Sequence, residues 1–538
     1  MHSAKSMRLL IMLTSAMLFA CNAYAIATTN KADPYTVFVV HEIKHDTSLP
    51  LRDMTPVILP TTFRETPRLR LTNITQKRWH VPATDFTLQL APGAALDIIQ
   101  GVQFTGLGQG FPGFVDEIFP PDPNGSAGLD QYVQWVNVKF AVFNKHTGAV
   151  IQGATSGNQL WSGFGGACQN QNKGDPLPHY DRFAHRWVMS QFAFVGSGKS
   201  APHLQCVAVS TSEDATGSYH RYAFSFDDFN DYGKIGIWPD PTYNAYYMTF
   251  NMFAGENFVG PRACALDRQA MLEGRDATMQ CFQLNTAAGS LLPADLDGAN
   301  LPPPKTPEFF LDFNPAGQFE FWRFRVNWAH SNLSKVEGPL VIRGTAPFAP
   351  ACNGDACIPQ RGTSETLDPI SERTMYRLAY RQFAAYGAML ANHSIQTATA
   401  ESGVRWYEIH VLNNGTYLPI LFQQGTFSPD SNSRWLGSMA MDKVGNIALG
   451  YSVSGHIFPA IRITGRMKSD PLGELRDEVE VKAGLGFQFF ETRWGDYSSM
   501  AVDPEDDCTF WYTNEYISAD ADGDWSTHVT SFKFPNCH

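Results

Sequence analysis

The chain has 538 residues, with 40 Lys and Arg against 52 Asp and Glu, a net charge of -12, 17% charged residues and 13% aromatics. A globular chain is roughly one quarter charged, so this apolar, aromatic composition excludes disorder and collagen-like structure and supplies a sizeable core. The acidic balance argues against nucleic acid or an anionic membrane as the main partner, because both require a positive surface.

Lys5 and Arg8 precede the apolar run Leu9 to Ala20, and Ala23-Tyr24-Ala25 follows as a small-x-small site. This predicts a signal peptide over residues 1–25, cleaved after Ala25, and a secreted or periplasmic mature chain. The apolar run is too short for a bilayer, which takes about twenty residues, and no later stretch offers a transmembrane segment. Cys21 supports a competing lipoprotein reading, which bulky Phe19 fits badly. Cleavage removes one of nine cysteines and two positive charges. The eight left predict four disulfides between sequence neighbours: Cys168 with Cys206, Cys264 with Cys281, Cys352 with Cys357, and Cys508 with Cys537. Their spacing suits no structural zinc site.

Residues 26–127, rich in proline and polar turns, read as an arm or a small domain. From 128 to 538, short β-rich runs alternate with Gly, Pro, Asn and Asp turns, and helical periodicity is nearly absent. Residues 434–483 show the repeating unit as a four-stranded meander: Trp435 to Met441, Ile447 to Val453, Ile457 to Ile463 and Glu478 to Lys482. Similar units begin near Gly128, His179, Tyr232, Phe309, Thr374, Arg434 and Arg493. Radial repetition limits exposed sheet edges in so long an all-β chain. The expected fold is therefore all-β, a seven-bladed β-propeller. Its last unit shows three strands, and the N-terminal arm is available to close the ring through Tyr35 to Val40 or Phe86 to Leu90.

Several motifs bear on chemistry. His41-Glu42-Ile43-Lys44-His45 matches the zinc-protease pattern, which needs a helix to bring both histidines to one face. Here the motif follows a β-like run and precedes Pro50, and no convincing third ligand follows, although Glu65 lies about twenty residues on, so a strand end is expected. Asp520-Ala521-Asp522-Gly523-Asp524 resembles half a calcium loop without its terminal Glu and reads as a hairpin tip. More suggestive are the aspartates just before the expected inner strands: Asp122, Asp175, Asp231 and Asp496. In a propeller these positions face the mouth of the central channel. There they would meet Arg434, Arg493, Trp494 and Tyr497 as a ligand-binding set able to hold calcium or a sugar, or to supply a general acid and base. The competing reading has each Asp capping its own turn and pairing with an Arg. No hydrolase elbow, Walker loop or dinucleotide fingerprint stands out.

Pro121-Asp122-Pro123-Asn124-Gly125 with Gln131-Tyr132-Val133-Gln134, Leu160 to Gly166, Gly174-Asp175-Pro176, Arg493 to Ser498 through Val502-Asp503-Pro504, and Phe510 to Tyr516 resemble a family of large secreted bacterial β-propeller proteins of sialidase-like architecture. Ser212-Glu213-Asp214-Ala215-Thr216-Gly217-Ser218-Tyr219 is similar to the Asp-box turn of such propellers, a structural element. The resemblance covers residues 110–538 and implies a fold without an established activity. Two functions follow as expectations. One is binding of a glycan or extracellular protein ligand at the channel mouth. The alternative is a glycoside hydrolase using paired carboxylates there.

Overall fold

A computed structural model describes residues 35–56, 69, 71, 79–115, 118–196, 202–520 and 524–538. The expected signal peptide and its cleavage site, Cys21, Glu65 and Asp522 lie outside the described residues. Tyr35–His538 forms one compact unit.

The unit is all-β. Three strands come from the N-terminal segment: β1 (Phe38–Thr47), β2 (Leu88–Gln89) and β3 (Ile99–Gly108). Four-stranded antiparallel meanders follow. The first is β4 (Asn124–Ala127), β5 (Gln131–Val136), β6 (Lys139–Asn144) and β7 (Val150–Ser156). The second is β8 (Leu177–Asp181), β9 (Arg186–Phe194), β10 (His203–Ser210) and β11 (Tyr219–Phe226), and the third is β12 (Phe229–Trp238), β13 (Ala245–Ala254), β14 (Asn257–Leu266) and β15 (Thr278–Gln283). The fourth is β16 (Leu292–Asp297), β17 (Glu308–Phe313), β18 (Phe319–Arg325) and β19 (Lys335–Val341). A small hairpin, β20 (Ile358–Pro359) and β21 (Thr366–Leu367), precedes the fifth: β22 (Leu378–Gln382), β23 (Tyr386–Gln396), β24 (Ser402–Leu412) and β25 (Pro419–Phe427). The sixth is β26 (Ser433–Met441), β27 (Ile447–Ser454), β28 (Ala460–Arg466) and β29 (Val479–Lys482). The last has only β30 (Ser499–Val502), β31 (Phe510–Tyr516) and β32 (Ser526–Lys533) of its own, and β3 completes it against β32.

The first strands of these meanders contact one another in turn, β4 to β8, β12, β16, β22, β26 and β30, and β30 returns to β4. They surround an axis, where space is scarce. β4 is Asn-Gly-Ser-Ala with all four residues buried. A Cβ on Gly236 of β12 would lie 2.1 Å from the Ala294 carbonyl oxygen of β16, so this crossing takes only glycine. Larger side chains fill the spaces between sheets. Trp435 faces Trp494 at 5.6 Å between ring centroids, Tyr132 faces Trp511 at 5.2 Å, and Trp238 meets Tyr380 at 4.9 Å. Fully burying an aromatic of this size contributes about 1.5–3 kcal/mol by area, which puts the 13% aromatic content to use.

The N-terminal strands tie sheets together. β1 pairs through Phe38 to His41 with β15 and through Glu42 to Thr47 with β11, merging the second and third sheets. β2 adds to the outer edge of β25. Two expectations are thereby corrected: Tyr35 to Val40 and Phe86 to Leu90 do not close the ring, and β3 does. The sequence disguises β3 because Gly101, Gly106 and Gly108 interrupt its pattern. Two unit starts also move. The first meander begins at Asn124 rather than near Gly128, and the fourth at Leu292 rather than near Phe309, in a strand whose signal Pro293 weakens.

Two short helices, α1 (Gly166–Asn170) and α2 (Arg268–Glu273), sit in connections. All four disulfides join the expected partners, Cys168–Cys206, Cys264–Cys281, Cys352–Cys357 and Cys508–Cys537. Four disulfides fit an oxidising, extracytoplasmic compartment. Among the described residues no helix is long and apolar enough to cross a membrane.

Candidate functional site

The chain makes the same bend just before or within five of the first strands. A residue with positive φ stands there each time: Asp122 (49°), Asp175 (48°), Tyr232 (52°), Leu436 (50°) and Asp496 (61°). Asp tolerates this left-handed region better than most side chains, which accounts for its recurrence. The bend shifts the register of β12 between Asp231 and Lys234 and that of β26 between Trp435 and Ser438. Such bulges re-aim side chains.

Asp175, Asp231 and Asp496 are brought together. Each is part-exposed, and the three interact electrostatically with one another and with Lys234. Burial, then the charges of Asp231 and Asp496, push the Asp175 carboxyl up to about 7. Burial raises Asp231 to about 6, against the pull of Arg373, Arg493 and Lys234. Asp496 pairs with Arg493 at 2.5 Å. The Tyr497 hydroxyl lies 3.0 Å from Asp175 Oδ2 and 3.0 Å from the Gly233 carbonyl oxygen. It also meets Tyr232, whose hydroxyl donates to the Asp496 carbonyl at 2.9 Å.

Asp122 underlies this recess. It is 2% exposed, its backbone N–H donates to the Gly495 carbonyl at 2.9 Å, and it accepts from Asn137 Nδ2 at 3.4 Å. It is a seam residue between the first and last sheets.

Two expected members stand apart. Arg434 is fully buried, paired with Asp430 at 2.8 Å and Glu478 at 2.7 Å, and does not join the aspartates. Leu436 occupies the position in β26 that matches Asp175 and Asp496. Trp494 is buried, donates its indole N–H to Ser452 at 3.0 Å and packs on Trp435. It serves the core beneath the recess.

Sequence reasoning missed three participants. Lys234 is buried, donates to the Tyr232 carbonyl at 3.1 Å, and burial lowers its ammonium well below its usual range. Arg373 lies 4.4 Å from the Tyr232 ring centre and pairs with Glu372. Glu515 accepts the Gly495 N–H at 2.8 Å, and burial pushes it well up. Lys234 was legible in Asp231-Tyr232-Gly233-Lys234, whereas Arg373 and Glu515 carry no local signal.

Farther along the first strands, the axis holds a second polar cluster. Arg377 pairs with Asp295 at 2.6 Å and Asp297 at 2.5 Å, and His179 meets Asp295 at 2.7 Å. The cavity they line leaves about 30 Å³ for the centres of water molecules. That is room for about two waters.

The remaining motifs are structural. His41 to His45 lies in β1, so the helical zinc-protease reading is overturned. Asp214 accepts the N–H of Thr216 at 2.9 Å and holds the β10–β11 turn. Asp520 accepts the Phe487 N–H at 3.2 Å. Among the described residues, Asp, Glu, His and Cys ligand atoms gather in threes within 4.8 Å only at Glu42, His45 and Asp276, on the outer strands. The calcium expectation thus gains no such set in the recess.

No protein-family model matches the chain. No curated protein matches it. Among solved structures it is similar to a GH43 endo-arabinanase from Bacillus licheniformis, at 8% identity and a TM-score of 0.29, over 69% of this chain and 99% of that one. It is also similar to an exo-β-1,3-galactanase from Phanerochaete chrysosporium (9% identity, TM-score 0.30, 82% and 97% covered). A third is the WD40 domain of SCAP from fission yeast (7%, 0.32, 75% and 82%). Likeness at this level assigns neither fold nor activity.

Proposed function

We propose that the seven meanders are the blades of a β-propeller, with residues 26–127 as the arm that closes it, and that the recess of Asp175, Asp231 and Asp496 is the active site of a secreted glycoside hydrolase. The signal-peptide pattern and the four disulfides support export. One observation carries the chemistry: two part-exposed carboxyls in one recess titrate near 7 and 6, where a general acid and a general base are useful at neutral pH. Asp175, the more strongly raised, would protonate the leaving oxygen. Asp231 would take the proton from the attacking water, and the Arg493–Asp496 pair would hold sugar hydroxyls.

The pair titrates as a coupled system, so activity requires Asp231 ionised and Asp175 protonated together. The expected profile is a bell with its limbs near 6 and 7. Turnover of a panel of nitrophenyl glycosides and arabinan or galactan fragments tests the reading. Loss of turnover in both Asp175→Asn and Asp231→Asn, with the fold retained, is expected. No turnover by the parent chain on any member counts against hydrolysis.

A second reading is binding of a glycan or extracellular protein ligand without turnover. It is favoured by Asp496 and Asp175 each already having a partner, Arg493 and Tyr497. Calorimetry showing saturable glycan binding without product selects it.

A further inference from the structure

The His41-Glu42-Ile43-Lys44-His45 stretch has a use that its strand setting allows. In a regular strand, positions three apart face opposite sides and positions four apart the same side. β1 is irregular there. Its register against β11 shifts between Glu42, opposite Phe224, and Lys44, opposite Ala223, so Ile43 is an extra residue. The bulge turns Glu42 and His45 to one side and takes His41 out of step.

Glu42 and His45 meet Asp276, from the loop between α2 and β15. His45 Nδ1 lies 3.3 Å from a Glu42 oxygen, and His45 Nε2 lies 3.6 Å from an Asp276 oxygen. One ligand atom from each of the three lies within 4.8 Å of the others.

The imidazole thus lies between two carboxylates, with one ring nitrogen turned toward each. The supports around the trio are in place. The second Glu42 oxygen accepts the Ala277 N–H at 3.1 Å, and the His45 ring stacks on Tyr222 at 5.7 Å. The nearby Arg275 is engaged by Glu273. Partly buried Glu42 and His45 with an exposed Asp276 give a site with an open approach.

We propose that Glu42, His45 and Asp276 bind one zinc-type divalent cation, with water completing a tetrahedral set, and that the ion pins β1 to the third sheet. One imidazole and two carboxylates are donors that zinc accepts. The role is structural. With β1 already paired to β11 and β15, the ion would fasten the N-terminal segment across the junction of two sheets.

The test is zinc binding by the full chain after removal of metals with EDTA, read by competition with a chromophoric chelator. One zinc per chain is expected, with affinity falling at least about tenfold in His45→Gln and in Asp276→Asn and unchanged in His41→Gln. Zinc K-edge absorption on the parent chain reads the ligands independently of any variant's folding, and should show nitrogen and oxygen at about 2.0–2.2 Å without sulfur. No stoichiometric zinc, equal affinity in His45→Gln, or a first shell of several imidazoles would each overturn the proposal.

Discussion

Tyr497 and Asp175 stand 322 positions apart in sequence and 3.0 Å apart in space. The tyrosine has one proton and two oxygens within reach, Asp175 Oδ2 and the Gly233 carbonyl. The Tyr497 hydroxyl donates to Asp175 and so favours its ionised form, but burial and the charges of Asp231 and Asp496 outweigh it and keep the Asp175 carboxyl protonated up to about 7. The native state therefore holds this proton more tightly than the unfolded chain does.

The sign of the pH effect follows. Between about 4 and 7 the folded chain keeps a proton that the unfolded chain has lost, so Asp175 makes stability fall as pH rises through that window. Asp175→Asn removes the dependence. Chemical denaturation should find the variant more stable than the parent at pH 8 and close to it at pH 4. A parallel pH dependence in the two proteins would refute the assignment.

Tyr497→Phe takes away the hydroxyl that favours ionised Asp175, so the alkaline limb of any activity, where Asp175 loses its proton, should move to higher pH. The measurement is the pH dependence of kcat/KM. An unshifted limb would mean that a different group titrates there.

Arg434→Leu separates the core from the recess. Glu478, held also by Arg462, loses one of its two cations inside the sheet, and Asp430 loses its partner. Destabilisation of about 3 kcal/mol is expected, with ligand binding or turnover intact below the melting range. Arg493→Leu, which strands Asp496 in the same way, should also abolish function.

The closing strand offers a steric test. A Cβ at Gly106 would meet Thr527 Oγ1 at 2.4 Å and Gln134 Oε1 at 2.5 Å. Those two side chains form a buried knot: Gln134 donates to Thr527 at 2.8 Å and to Thr513 at 2.7 Å, and accepts the Leu107 N–H at 2.7 Å. Gly106→Val should cost about 1–3 kcal/mol from overpacking, and more where the knot is broken. Replacing Cys508 and Cys537 by Ser, which opens a loop of 29 residues, should cost about 3 kcal/mol.

What was legible follows from distance along the chain. The disulfides were readable because each joins sequence neighbours. Asp175 and Asp496 were readable because a left-handed bend selects Asp repeatedly. Arg434 was misplaced through a count of one residue. Gly495 intervenes after Arg493-Trp494, so Arg493 precedes its bend residue by three and Arg434 precedes Leu436 by two. In extended chain, odd and even offsets point to opposite sides. The Arg377 cluster was invisible for another reason. Asp295 and Asp297 alternate in a strand that Pro293 disguises, and their arginine comes 80 and more residues later.

The glycines of β3 acquire a meaning in biosynthesis. β3 is made well before its partner β32, which follows about 420 residues later along the chain. At roughly 5–20 residues per second, β3 waits on the order of 20–80 s for β32 to exist. A strand of valines and isoleucines left open for that time would recruit any passing edge, including that of a sister chain. Three glycines in ten residues make β3 a poor template on its own and a good fit only against the serines and threonines of β32. The weak sequence signal that hid this strand from inspection also hides it from the wrong partners until the right one arrives.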